Sequence, residues 1–218
     1  MTVLILGATG LVGAKCVQHS LADTRIDKVI AVTRRPMDTS HPKLTNLIVD
    51  YEHLEDYAAG MQADAVLSAL GTTLKQAGSP SKFRRVDYDY QLRAAEIARQ
   101  NGTKTFVLLS SGGADAKSLL LYTKVKGQIE DAIAKLGFDR LAILRPSLLL
   151  GERQGHRPAE AMATWVSDKL SFVFTGALKR FKPIEGDIVA KAMINAVQKP
   201  YTGVRLVENL EIFTWAKS

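Results

Sequence analysis

Residues 6–13 read "LGATGLVG", directly after the apolar run Val3-Leu4-Ile5-Leu6 and directly before a helical pattern from Leu11 to about Ala22. Gly7, Gly10 and Gly13 recur every third residue across that junction. In a strand–turn–helix unit the three do different things. Gly7 allows the sharp turn, Gly10 lets a pyrophosphate approach the backbone, and Gly13 lets the helix lie close on the strand. A helix N-terminus placed there offers unpaired N–H groups and a positive dipole end to phosphates. The bland alternative is a glycine turn that only packs.

The periodicity outward from this turn predicts a repeating strand–helix chain. Apolar runs fall at Lys28 to Thr33, Asn46 to Asp50, Asp64 to Leu70, Lys104 to Ser110 and Arg140 to Leu144. Helical patterns follow at Phe83 to Gln100, Leu119 to Leu136, near Glu160 to Ser171, and at Asp187 to Gln198, with a late apolar run at Val204 to Val207. Strands without polar alternation, each followed by a helix, indicate a parallel sheet buried on both faces. The expected architecture is α/β, a doubly wound parallel sheet with a small C-terminal extension. One nucleotide-binding domain over residues 1–218 is expected, with 151–185 a small substrate-side insertion, because no repeat or linker divides the chain.

With 218 residues, 46% hydrophobic and 23% charged, the chain can bury one sizeable core. Cys16 is the only cysteine, so no intramolecular disulfide can form. The four histidines show no metal-ligand spacing, and His156 stands between Arg153 and Arg157. The formal charge of +7 is spread over short pairs such as Arg34-Arg35 and Arg84-Arg85 rather than a basic run with aromatics, which argues against a nucleic-acid partner. No run reaches the eighteen apolar residues of a membrane span, and the apolar start lacks a charged leader, so no membrane partner and a cytoplasmic location are expected.

Cofactor choice lies at the end of the second strand, where NAD-binding proteins place an acid against the ribose. Here Thr33 is followed by Arg34 and Arg35. Two guanidiniums can clamp a 2′-phosphate and no carboxylate repels one, so NADP is favoured and NAD remains possible. The arginines could also be plain exposed charges. Asp50 and Tyr51, after the third strand, could flank an adenine, although an acid there also serves as a helix cap.

Residues 108–126, "LLSSGGADAKSLLLYTKVK", place Tyr122 four residues before Lys126, on one helix face. Of the six tyrosines only this one has a lysine at that spacing, and it follows the fifth strand at the edge where open α/β sheets bind ligands. With the glycine turn, this resembles the short-chain dehydrogenase/reductase superfamily. The motifs "LGTT" (70–73), "RVDYDY" (85–90), "LLSSGGAD" (108–115), "YTKVKG" (122–127), "FDR" (138–140) and "RPSLLLGERQGHRP" (145–158) look more closely like the Tat-interacting protein family of atypical short-chain reductases.

The resemblance implies a Rossmann-type fold and an NADPH-dependent oxidoreductase acting on a small carbonyl or hydroxyl compound. It makes Tyr122 the general acid or base, Lys126 its electrostatic support and the holder of the nicotinamide ribose, and Ser111 the donor to the substrate oxygen, with Ser110 its nearest competitor. Thr9, Gly10, Leu11 and Val12 would meet the pyrophosphate, Leu70 and Gly71 the central ribose or nicotinamide half, Pro146 to Leu149 the nicotinamide, and Arg157 a phosphate. Asp87 stands where such reductases usually have an asparagine, which changes the proton relay. Two further functions follow: an NADPH-binding regulatory or sensor protein with a protein partner and little turnover, and a nucleotide-sugar epimerase or dehydratase, which needs tightly held NAD and which Arg34 and Arg35 disfavour. A homodimer through the flanking helices is compatible with the superfamily.

Overall fold

A computed structural model describes residues 1–151 and 181–217. The first strand, β1 (Thr2–Leu6), is buried on both faces, because Val3 and Ile5 point to one side of the sheet and Leu4 and Leu6 to the other. It pairs in parallel with β2 (Lys28–Thr33) on one side and β4 (Ala65–Ser68) on the other, Leu4 standing opposite Ile30 and Val66. With β3 (Leu44–Ile48), β5 (Thr105–Leu109), β6 (Arg140–Arg145) and β9 (Gly203–Glu208) the sheet has the order β3-β2-β1-β4-β5-β6-β9, every pairing parallel. This is the doubly wound arrangement expected from the apolar runs. The late run Val204 to Val207 supplies the seventh, edge strand.

Helices cover both faces. Val3, Ile5 and Val107 pack with Val12, Cys16 and Val17 of α1 (Leu11–Ala22), and with Val189 and Met193 of the Gly186–Gln198 helix. Leu4, Leu6 and Phe106 pack with Ala94 and Ile97 of the Tyr90–Gln100 helix and Ile129 and Ile133 of the Leu121–Ala134 helix. The chain winds outward in opposite directions on either side of β1 and β4, which opens a crevice at their C-terminal ends.

Three boundaries differ from the sequence expectation for physical reasons. The third strand occupies Leu44–Ile48 rather than Asn46 to Asp50, because Asp50 turns its carboxylate onto the Glu52 N–H and caps a 3₁₀ segment, Tyr51–Met61. The fourth strand ends at Ser68, short of Leu70. The long helix expected from Phe83 starts earlier and is in pieces, α3 (Pro80–Arg84, capped by Ser79), a π turn at Arg85–Asp89, and α4 (Tyr90–Gln100), and the loop before it holds the short α2 (Leu74–Ala77). Beyond these, α5 is Leu121–Ala134, α6 is Gly186–Gln198 and α7, which the sequence pattern does not suggest, is Asn209–Trp215. Short strands β7 (Leu149–Leu150) and β8 (Ile184–Glu185) pair in parallel beside the crevice. The expected helix near Glu160 to Ser171, and Arg153, His156 and Arg157, lie outside the described residues.

Candidate functional site

Each glycine of the first turn meets a distinct constraint. Gly7 has φ +74°, and a Cβ there would stand 2.6 Å from the Ala69 carbonyl oxygen. A Cβ on Gly13 would lie 2.0 Å from the Gly7 oxygen, so α1 can rest on the turn only without a side chain. Gly10 is exposed at an ordinary φ of −80°, with only the Gly7 oxygen, at 3.2 Å, near its missing Cβ. Its absent side chain therefore clears the cleft rather than the fold. Gly10 caps α1 with no side-chain hydrogen bond, and the first turn carries no acid. The leading N–H groups and the dipole end of a 12-residue helix therefore face the cleft without an acidic side chain in the first turn, an arrangement suited to an anion.

A cleft of about 250 Å³ opens at this point. Thr9, Gly10, Leu11 and Val12 form one wall, Leu70 and Gly71 after β4 another, Tyr122 and Lys126 on α5 a third, and Leu149 the fourth. These residues, from four separate stretches of sequence, are brought together. Ala69, Thr72, Gln76, Asp87, Leu109 and Ser110 complete the lining. Tyr122 packs its ring on Phe83 with centroids 5.7 Å apart and is 37% exposed. Its hydroxyl has no hydrogen-bond partner among the described residues. Lys126, one turn further along α5, is buried and lies 2.7 Å from Asp87 Oδ1. The other oxygen of Asp87 accepts the Thr72 N–H at 2.8 Å. Behind Asp87, its carbonyl accepts from Gln91 Nε2, and Gln91 in turn accepts from Ser68 Oγ.

Of the two serines, Ser110 lines the cleft but donates its hydroxyl to Glu130, itself buried on α5 and gripped by Arg145 through Nε at 3.0 Å. The hydrogen bond to Glu130 pushes the Arg145 guanidinium above its already high range, so it stays charged. Ser111 is half-buried, stands outside the cleft lining and, among the described residues, donates only to the Gly112 carbonyl at 3.2 Å. Pro146 is buried and is not part of the cleft lining, and its carbonyl accepts the Gly112 N–H at 2.7 Å. Glu130 lies four residues after Lys126 on the same face of α5, a spacing that marks it in the sequence only once Tyr122 and Lys126 are placed in the cleft.

At the end of β2, Thr33 donates to the Arg35 carbonyl and accepts from Asn46, each at 2.7 Å, which fixes the turn. Arg34 and Arg35 are both exposed, and neither forms an ion pair among the described residues. Tyr51 is buried, stacks on Tyr90 and points its hydroxyl at the Val32 carbonyl, and burial pushes its phenol above the usual range. The Asp50 carboxyl is held below the usual carboxylate range, first by the Glu52 N–H and then by His53. These four residues stand at the ends of β2 and β3, outside the 250 Å³ cleft. Among the described residues no group of histidine, cysteine and acid side chains could hold a metal, and no helix is long and apolar enough to cross a membrane.

An NAD(P)H-binding family profile matches residues 7–200. The protein fmp52, mitochondrial, of Emericella nidulans is 38% identical over 92% of this chain and 89% of its own length. HTATIP2 of Rattus norvegicus is 37% identical over 99% of this chain and 89% of its own. Among solved structures, MoeE5 in complex with UDP-glucuronic acid and NAD superimposes with a TM-score of 0.72 at 19% identity, covering 96% of this chain and 76% of that one. A UDP-N-acetylglucosamine 4-epimerase from Methanobrevibacter ruminantium gives 0.71 at 18% identity, over 95% and 76%. The expectation of a cytoplasmic location is overturned by the fungal relatives, whose names place them in mitochondria. A lone reduced thiol and the want of a long apolar run, on which that expectation rests, suit a mitochondrial protein equally well. The glycine turn, the sheet order and these relatives agree: the chain belongs to the NAD(P)H-binding family, among the Tat-interacting proteins represented by FMP52 and HTATIP2, on a Rossmann-like fold.

Proposed function

We propose that the protein is an NADPH-dependent oxidoreductase that transfers hydride to or from a small carbonyl or hydroxyl compound. The observation that carries this is the meeting of Tyr122 and Lys126 with the glycine cradle in one cleft. The first turn of α1 would hold the pyrophosphate, Leu70 and Gly71 the middle of the dinucleotide, and Leu149 with the Pro146 segment its nicotinamide end. Arg34 and Arg35, exposed and without a carboxylate partner among the described residues, are suited to a 2′-phosphate. When bound, the nicotinamide supplies or accepts the hydride.

The chain's own part is to bind, orient and move a proton. In the reducing direction the Tyr122 hydroxyl gives its proton to the substrate oxygen as negative charge develops there, and Lys126, one turn away, stabilises the phenolate left behind. Ser111 donates a hydrogen bond to the same oxygen. Its rival Ser110 is committed to Glu130, which supports that assignment. Tyr122→Phe should abolish turnover of a carbonyl panel while NADPH still binds. Undiminished turnover would remove Tyr122 from the mechanism.

A second reading, an NADPH-binding regulator with little turnover, is favoured by one feature: the charge of Lys126 is already matched by a buried carboxylate. It expects capture of a protein partner that depends on NADPH and is indifferent to Tyr122→Phe.

A further inference from the structure

We infer that Asp87 is a positioning residue that must be a carboxylate, because it holds Lys126 ready for the nicotinamide half of the cofactor and ties the two walls of the cleft together. The inference rests on the NADPH reading above and adds a residue to it. Three observations converge. First, the side chain of Asp87 is 1% exposed and both its oxygens face donors, the Lys126 ammonium at 2.7 Å and the Thr72 N–H at 2.8 Å. The ammonium stands off the line of a hydrogen bond to Oδ1, so the attraction there is ionic. An asparagine would have to turn its NH₂ toward one of the two donors, and only a carboxylate accepts from both.

Second, Asp87 is the middle residue of the π turn Arg85–Asp89, an insertion of the kind that re-aims side chains at functional sites. Third, Gly71 leaves room for the pair. A Cβ there would come within 3.1 Å of Oδ1 and 3.6 Å of Lys126 Nζ. Thr72 belongs to the wall after β4 and Lys126 to α5, so one carboxylate bridges the walls between which a dinucleotide would lie.

Lysine is a flexible side chain whose ordering has an entropic cost, and an ammonium that loses its buried counter-charge is no longer held in one position. Without Asp87, Lys126 would therefore present its charge to the cleft less often. The glycine cradle and the Arg34-Arg35 end would be untouched.

The test is a pair of titrations, NADPH and 2′,5′-ADP, on the wild type, Asp87→Asn and Gly71→Ala. The fragment reports on the adenosine end alone. In both variants NADPH should weaken roughly tenfold, the value of one charge-assisted hydrogen bond, while 2′,5′-ADP stays within about twofold of the wild type. NADPH binding as tight in Asp87→Asn as in the wild type would overturn the inference. So would equal loss of both ligands, which would mean general disruption. A wild type that binds neither ligand would instead sink the cofactor reading on which this one rests.

Discussion

Two alanine substitutions three residues apart should separate what the glycine turn does for the fold from what it does for the ligand. In Gly13→Ala the new Cβ would stand 2.0 Å from the Gly7 oxygen, where ordinary contact begins at 3.4 Å. The start of α1 must therefore rise from the turn by about 1.4 Å, the difference between those distances. That displacement lifts Val12, Cys16 and Val17 off the sheet they are buried against. A gap of even 0.5–1 Å forfeits about a quarter to a half of each dispersion contact, and overpacking of a dense core costs about 1–3 kcal/mol. With the backbone itself as the obstacle, we place Gly13→Ala at the upper end, about 3 kcal/mol, which in a chain of this size lowers Tm by roughly 10 °C. Gly10→Ala is different. Its φ of −80° suits any residue and its Cβ meets only the Gly7 oxygen at 3.2 Å, so Tm should stay within about 2 °C of the wild type. Its methyl group, however, projects where phosphates must approach, and NADPH should weaken at least about tenfold. Thermal melts by circular dichroism and NADPH titrations of the two variants decide the matter. A Gly13→Ala protein that melts with the wild type, or a Gly10→Ala protein that binds NADPH as well as the wild type, would refute the geometry.

Arg145→Ala should lower stability by about 3 kcal/mol, because it leaves Glu130 buried without its counter-charge; an unchanged urea midpoint would show that Glu130 is reached by water. Burial of Cys16 on the underside of α1 pushes its thiol from 9.0 up to about 12. The folded protein should therefore resist iodoacetamide at pH 8 until it is denatured, and fast labelling of the native protein would contradict that burial. The sign of the accompanying pH effect follows from the same shift. Above about pH 9 the unfolded chain releases this proton while the native state keeps it, so the Cys16 contribution to stability falls as pH rises from 9 toward 12, which urea melts at pH 8 and 10 would reveal.

The sheet is legible in the sequence because parallel strands buried on both faces leave continuous apolar runs, and β1, α1 and β2 lie where the runs and the glycine spacing put them. The glycine turn is legible for the same reason: Gly7, Gly10 and Gly13 are local in sequence, and each answers to a backbone contact within a few residues or just past the adjacent strand. Tyr122 and Lys126 follow from one helical turn. What periodicity does not reveal is the path of the chain from Leu74 to Asp89. A π turn adds one residue to a helix without disturbing its apolar pattern, yet it is what carries Asp87 into the cleft. The 3₁₀ segment at Tyr51–Met61 also escapes, although Asp50 reads as a cap and Tyr51, Leu54 and Met61 are spaced as a buried helical face. Nor can sequence rank Ser110 against Ser111, because the residue that engages Ser110 is twenty positions away on another element.

The most direct measurement is a fluorescence titration of the purified protein with NADPH and with NADH, repeated on the Arg34→Ala/Arg35→Ala double variant. NADPH should bind at least about tenfold more tightly than NADH, and the preference should vanish in the double variant, since one or two charge-assisted bonds to a 2′-phosphate account for it. Binding of neither cofactor to the wild type would contradict the central claim and leave the glycine turn a packing device.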